Sequence, residues 1–254
     1  MAITIKSERE IELMAEAGKI LERVHNELEK ALRPGMSTKD IDTLGEEIIR
    51  SYGCIPSFLN YNGYPASICV SVNQEVVHGI PDKHRIIQEG DIVSLDAGVI
   101  YKGYHSDAAR THAVGEVSEE AKKLIQVTKE SFFEGIKFAK AGNHLFDISG
   151  AIGRYAEERG YGVVRDLCGH GIGTALHEAP EIPNYEVGRK GVRLRPGMTL
   201  AIEPMINIGT YEVDWLDDDW TVVTRDGSLS AHYENTILIT EGEPRILSLT
   251  CENE

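Results

Sequence analysis

Basic residues are scarce in this chain. Lys and Arg number 26 against 41 Asp and Glu, which leaves a net charge of −15 over 254 residues. That balance excludes a general nucleic-acid binder, which needs a basic face to neutralise phosphates. Cysteine is sparse as well. Cys54, Cys69, Cys168 and Cys251 have neither CxxC spacing nor the density of a disulfide scaffold, so reduced thiols are expected. No apolar run reaches the roughly eighteen residues that a membrane-spanning helix needs. The start Met1-Ala-Ile-Thr-Ile-Lys6 lacks the charged-then-apolar pattern of a secretion signal, and a cytoplasmic location is the expectation. Linkers, low-complexity tracts, a Gly-rich phosphate loop and the chain order of a Ser-His-Asp triad are all missing. A chain of this length buries about three quarters of its unfolded surface, so a single domain spanning 1–254 is expected.

What the chain does have is a set of metal-ligating types at the ends of apolar, β-rich runs: Asp96, Asp107, His170, Glu203 and Glu234. Asp96 lies within Gly90-Asp-Ile-Val-Ser-Leu-Asp96, and Asp107 follows the turn-like Tyr101-Lys-Gly-Tyr104, so the two are expected to face each other across an antiparallel hairpin. Glu203 closes Met198-Thr-Leu-Ala-Ile-Glu203, and Glu234 precedes Asn235-Thr-Ile-Leu-Ile239. His170 stands among glycines in Cys168-Gly-His-Gly-Ile-Gly173, where backbone and ligand can approach closely. Any one of these alone is ordinarily a solvated or paired surface residue. Buried together, four carboxylates would cost several kcal/mol each or take up protons unless cations balance them. Two divalent ions would balance them.

The chain also echoes itself. Gly35 and Gly142, Asp40 and Asp147, Gly53 and Gly160, Gly90 and Gly197, and Asp96 and Glu203 are each 107 positions apart. The echo predicts two similar halves, about 1–115 and 116–254, with Asp96 and Glu203 at related places in one sheet. Ser7-Glu-Arg-Glu10 reads as a capping box before an amphipathic stripe of Ile11, Met14, Ala15, Ala17, Leu21, Val24, Leu28 and Leu32. Further helices are predicted after Ser37, from Ser118 to Lys140, and from Leu145 to Arg159. Strands are predicted over 67–72, 91–100, 104–113, 163–168, 198–206, 220–224 and 231–240. The fold class is therefore α+β: a curved, largely antiparallel sheet with helices outside and the carboxylates inside. The acidic run Asp217-Asp-Asp219 lacks the twelve-residue spacing of an EF-hand and reads as a charged turn beside Trp220.

Seven motifs in order carry a resemblance to a known family. They are Gly63-Tyr-Pro-Ala-Ser-Ile-Cys-Val-Ser-Val-Asn73, Val77-His-Gly-Ile-Pro81, Gly90-Asp-Ile-Val-Ser-Leu-Asp96, His105-Ser-Asp107, Cys168-Gly-His-Gly-Ile-Gly173, His177-Glu-Ala-Pro180 and Ala201-Ile-Glu-Pro204. Over essentially the whole chain the sequence resembles the type I methionine aminopeptidases in their short bacterial form. The resemblance implies a pita-bread fold with a pseudo-twofold axis, and removal of the initiator methionine from nascent proteins when the second residue is small. It assigns Asp96 to one metal, His170 and Glu203 to the other, and Asp107 and Glu234 as bridges, with Glu203 also the proton acceptor. The ions would be Fe(II), Mn, Co or Zn.

The same resemblance places His78 and His177 at the scissile bond, and Phe58, Tyr61, Tyr64, Cys69, Leu176 and Trp220 around the methionine side chain. It puts a monovalent cation near Asn73 and Ser230. The partners it implies are nascent N-termini, with a monomer expected, transient ribosome association left open, and neither membrane nor specific nucleic acid involved. His25, His84, His105, His112, His144 and His232 are read as structural or surface residues. Two alternatives share the fold: a proline-specific peptidase, whose relatives carry a large amino-terminal domain, and a non-catalytic binding protein, whose relatives lose metal ligands.

Overall fold

The computed structural model describes residues 3–249. Four helices pack on one side of a curved sheet: α1 (Glu8–Ala31), α2 (Thr38–Ser51), α3 (Glu119–Ile136) and α4 (Leu145–Glu157). The capping box expected at Ser7 is present: the Ser7 N–H donates to Glu10 Oε2 at 2.7 Å, and Ser7 Oγ accepts from the Glu10 N–H. The predicted stripe faces inward, with Met14, Ala15, Ala17, Leu21, Val24 and Leu28 buried and Ile11 and Leu32 half-buried at its ends. Helix α3 stops at Ile136, four residues short of the predicted Lys140, where tight turns from Phe138 N–H to the Gly135 carbonyl close the last turn.

Nine strands form the main sheet, with Ile92–Tyr101, Tyr104–Ala113, Glu234–Leu238, Thr199–Ile202, Gly169–Gly171 and Glu178–Ile182 side by side in that order. Three predicted strands are interrupted. The 198–206 run breaks at Pro204, which has no N–H to give to a ladder, and resumes as Met205–Asn207. Its partner run breaks at Tyr233 into Ser230–His232 and Glu234–Leu238. The 163–168 run yields Gly162–Val163; the chain then leaves that ladder through exposed Arg165 and Asp166 and re-enters the main sheet at Gly169.

The internal echo is structural. Gly35 and Gly142 have φ of 90° and 93°, Gly53 and Gly160 71° and 85°, and Gly90 and Gly197 92° and 86°. These are conformations that a side chain opposes, so glycine recurs at the same turn of each half. Isolated bridges also repeat, Ser37 with Ile86 and His144 with Arg193. Asp40 and Asp147 accept the backbone N–H of Ser37 and His144, at the starts of α2 and α4. One apolar core lies between α1, α2 and the hairpin Ile92–Ala113; a second lies between α3, α4 and the strands Thr199–Ile202 and Glu234–Leu238.

Candidate metal centre and adjoining pocket

Strand register builds the centre. Across the first hairpin Asp96 pairs with Ala109 and Asp107 with Gly98, so the two carboxylates are diagonal neighbours on one face rather than directly opposed. The next strand places Glu234 beside Ala109, whose methyl leaves room between Asp96 and Glu234. Asn235 pairs with Ile202, which brings Glu203 level with Glu234 at the point where Pro204 ends the ladder. His170 pairs with Ala201 on the far side. Its flanking glycines serve the backbone: a Cβ on Gly169 would stand 2.4 Å from the Ala201 carbonyl oxygen, and one on Gly171 2.2 Å from that of Ala179.

The resulting box is rich in unbalanced acceptors. Asp96, Asp107 and Glu234 are buried, and Asp96 Oδ1, Asp107 Oδ1 and Glu234 Oε1 have no hydrogen-bond donor among the described residues. The half-buried guanidinium of Arg110 spends its donors on the carbonyls of Ala109, Glu234 and Ser248 and on Asn235 Oδ1. Burial pushes the Asp96 carboxyl up to about 8. Burial, then the charges of Asp96 and Glu203, raise Asp107 well above the usual carboxylate range. Glu203 and Glu234 are raised by burial and by their neighbours in the same way. The His170 imidazole goes the other way, pushed down to about 3 by burial and by His177. Its Nδ1–H donates to the Gly171 carbonyl at 2.9 Å, which leaves the Nε2 lone pair facing Asp107 Oδ2 at 3.8 Å and Glu203 Oε1 at 3.6 Å. One ligand atom from each of Asp107, His170 and Glu234 lies within 4.8 Å of the others. Buried acceptors without donors, plus a neutral imidazole whose second nitrogen is anchored, are the donor set that divalent ions require.

A pocket opens from this box. Its lining contains all five candidate ligands together with Phe58, Tyr61, Tyr64, Cys69, His78, Leu176, His177 and Trp220, and it adds Asn62. Cys69 stands opposite Asp96 across the strand pair, so burial and that carboxylate both raise its thiol. Tyr64 donates its hydroxyl to the Gly79 carbonyl at 2.9 Å and meets Trp220 edge-on at 5.1 Å. Asp218, in the acidic turn, accepts from the N–H groups of Trp220 and Thr221 and so fixes the indole wall. His78 has a left-handed φ of 59°, a conformation that costs of order 1–3 kcal/mol outside glycine. The rings of His177 and His170 lie 4.2 Å apart, and Tyr61 Oη is 2.8 Å from His177 Nδ1.

The model of metallopeptidase family M24 matches residues 12–241. The chain belongs to that family. A methionine aminopeptidase of Clostridium acetobutylicum is 58% identical over 250 residues, covering 98% of this chain and 100% of the relative. Methionine aminopeptidase 1 of Bacillus subtilis is 52% identical over 239 residues, 94% of this chain and 96% of its own. The crystal structure of a methionine aminopeptidase from Thermotoga maritima superposes with a TM-score of 0.96 at 47% identity, covering 98% of this chain and all of that one. The M24 pita-bread fold expected from the sequence is therefore the fold of this chain.

Within this M24 frame, the histidines read as structural or surface residues divide, with His25, His105 and His232 the buried ones. His232 is 2% exposed, with Nε2 3.8 Å from Glu203 Oε2. His105 is buried too, its Nδ1 3.0 Å from Ser57 Oγ. Asn62, in a left-handed turn beside Tyr61, gave no signal beyond its neighbours. Asn73 and Ser230 adjoin, the Ser230 N–H donating to the Asn73 carbonyl at 2.9 Å, while both side chains already have protein partners. Cys54, Cys69 and Cys168 are free thiols; Cys251 lies outside the described residues. No described helix is long and apolar enough to cross a membrane.

Proposed function

We propose that the chain is a metal-dependent aminopeptidase that releases methionine from the N-termini of newly made proteins whose second residue is small. The observation that carries this reading is that the carboxylate box and the aromatic pocket are one cavity. Asp96, Asp107, His170, Glu203 and Glu234 would hold two divalent ions, with Asp107 and Glu234 shared. The oxygen-rich set suits Mn, Fe(II) or Co, and Zn is feasible. When bound, the ions supply an activated water and a polarised carbonyl. A monovalent cation near Asn73 and Ser230 would have to draw on backbone carbonyls, since the side chains are engaged.

The remaining chemistry belongs to side chains. Glu203 accepts the proton that the attacking water loses and returns it to the departing amine as the C–N bond breaks. With the Tyr61 hydroxyl donating to His177 Nδ1, the His177 Nε2–H is free to donate to the scissile carbonyl as negative charge grows there. A donor so placed is worth roughly 2.7–4 kcal/mol. His78, on the opposite wall with its ring 6.2 Å from that of Trp220, would bond to the leaving amide or the residue after it. The thioether packs among Tyr61, Tyr64 and Trp220, because polarisable sulfur favours aromatic edges. The two histidines leave little room for a large second side chain.

The test compares Met-Ala-Ser with Ala-Pro-Ser on manganese-loaded protein. Release of methionine from the first alone supports the reading, and cleavage of the second alone overturns it in favour of a proline-specific peptidase.

A further inference from the structure

Glu203 sits between two imidazoles. Its Oε1 is 3.6 Å from His170 Nε2 and its Oε2 is 3.8 Å from His232 Nε2. His170 has a role as ligand in the reading above; His232 has none. Neither nitrogen of the buried His232 ring has a hydrogen-bond partner among the described residues. Leaving a buried polar group unpaired costs about 1–3 kcal/mol, so an imidazole kept in that state calls for a reason.

The backbone that carries the ring is held independently of it. The His232 N–H donates to Thr111 Oγ1 at 2.9 Å, and Thr111 Oγ1 donates to the His232 carbonyl at 2.8 Å. Ser94 Oγ donates in turn to Thr111 Oγ1 at 2.8 Å. These bonds fix where the ring can reach without using its nitrogens.

The two-fold echo supplies a second, independent observation. In the first hairpin Asp107 pairs with Gly98. The residue 107 positions after Gly98 is Met205, and Met205 pairs with His232. His232 therefore occupies, beside Glu203, the place that Asp107 occupies beside Asp96. One half of the molecule sets a carboxylate there and the other an imidazole, so the second half turns a donor toward the carboxylate it shares the face with.

We propose that His232 is a positioning residue for Glu203, its Nε2–H holding the carboxylate oxygen that faces away from His170. This rests on the aminopeptidase reading above. A side-chain adjustment of about 1 Å brings the pair to hydrogen-bond length. A carboxylate that is both ligand and proton acceptor must keep each oxygen aimed, and a fixed donor on one oxygen does this.

The experiment uses the full chain and three variants. His232→Leu keeps the bulk and removes the donor; His232→Gln places an amide N–H at the Nε2 position; His232→Asn reaches only the Nδ1 position. Mn(II) affinity is measured by calorimetry without peptide, the Co(II) absorption spectrum is recorded, and kcat and KM are measured on Met-Ala-Ser. His232→Leu and His232→Asn should lose about 10-fold to 100-fold in kcat and about 10-fold in Mn(II) affinity, with a shifted Co(II) spectrum and KM within about threefold. His232→Gln should restore all of these to within about threefold of the parent. If His232→Leu does not fold, the Gln and Asn pair carries the comparison. Parental kcat and Mn(II) affinity in His232→Leu, or equal impairment of Gln and Asn, would overturn the proposal. The metal measurements need no peptide, so an error in the substrate reading shows only in turnover and leaves them standing.

Discussion

Tyr61 and His177 are joined through a 2.8 Å contact between the phenol oxygen and Nδ1. Taken as a donor to Nδ1, the phenol places the imidazole proton on Nε2. With the phenol donating, the donor faces the cavity; without it, the two tautomers compete. Tyr61→Phe keeps the ring against His177 and removes that bias. A hydrogen bond is worth about 1 kcal/mol, so kcat should fall about fivefold to tenfold with KM nearly unchanged. A change confined to KM would make Tyr61 a pocket wall only.

Glu203→Gln separates turnover from folding. It removes the proton acceptor and one ligand charge, so release of methionine should nearly vanish even at saturating metal. The apo protein should melt at the same temperature or higher, because burial already raises this carboxyl and the amide needs no counter-ion. Activity within about tenfold of the parent in a metal-replete assay would remove the acid–base role from Glu203.

The pH dependence of the metal-free protein has a definite sign. Asp96 titrates near 8 in the fold, against about 3.9 in an unfolded chain. Between pH 6.5 and 8 the folded state holds the proton and the unfolded state does not, so stability falls as pH rises, by up to about 1.4 kcal/mol per pH unit. The stabilising contribution is fully present only below the unfolded value of about 3.9, where both states hold the proton, and it is lost progressively as pH rises through the folded value near 8. Denaturation of chelator-treated protein at pH 6.5 and 8 measures the slope. Asp96→Asn should lessen it, the other raised carboxyls keeping the rest, and saturating Mn(II) should reverse it, since ions bind the deprotonated box. A metal-free parent that gains stability from pH 6.5 to 8 would contradict the burial of Asp96 as the source.

The fold was legible where one residue type has one use. Glycines at left-handed turns, capping boxes and the 107-residue echo all predicted elements that the structure contains. Candidate site residues at strand ends were legible because burying so many carboxylates makes sense only around cations. His232 was not. It belongs to the echo, but the segment between Asn207 and Ser230 is much longer than the Lys102-Gly103 turn that it replaces, so the constant offset fails before it reaches His232. Only the pairing of Met205 with His232 recovers the relationship. Strand breaks at Tyr233 and after Val163 were hidden for a similar reason: residue types favoured a longer strand, and the course of the neighbouring chain ended it.

The indole wall offers a test of the pocket apart from the metal centre. Asp218 holds Trp220 through its backbone N–H at 2.9 Å and also accepts from the Thr221 hydroxyl. Asp218→Ala loosens that turn without entering the cavity. KM for Met-Ala-Ser should rise severalfold while kcat and Mn(II) affinity stay near parental values. Unchanged KM would mean that Trp220 does not contact the first side chain.

The central claim is that one cavity reads a free methionine terminus and cuts beside it. The most direct measurement is release of the first residue, by mass spectrometry, from Met-Ala-Ser, Met-Leu-Ser and formyl-Met-Ala-Ser on manganese-loaded protein. Formylation takes away the amine that an exopeptidase recognises, and leucine at the second position must crowd His78 and His177. Rapid methionine release from Met-Ala-Ser, with release from the other two slower by at least about 100-fold, is the predicted result. Comparable rates on all three peptides would contradict it, since the cavity would then be cutting without reading either the terminus or the residue that follows.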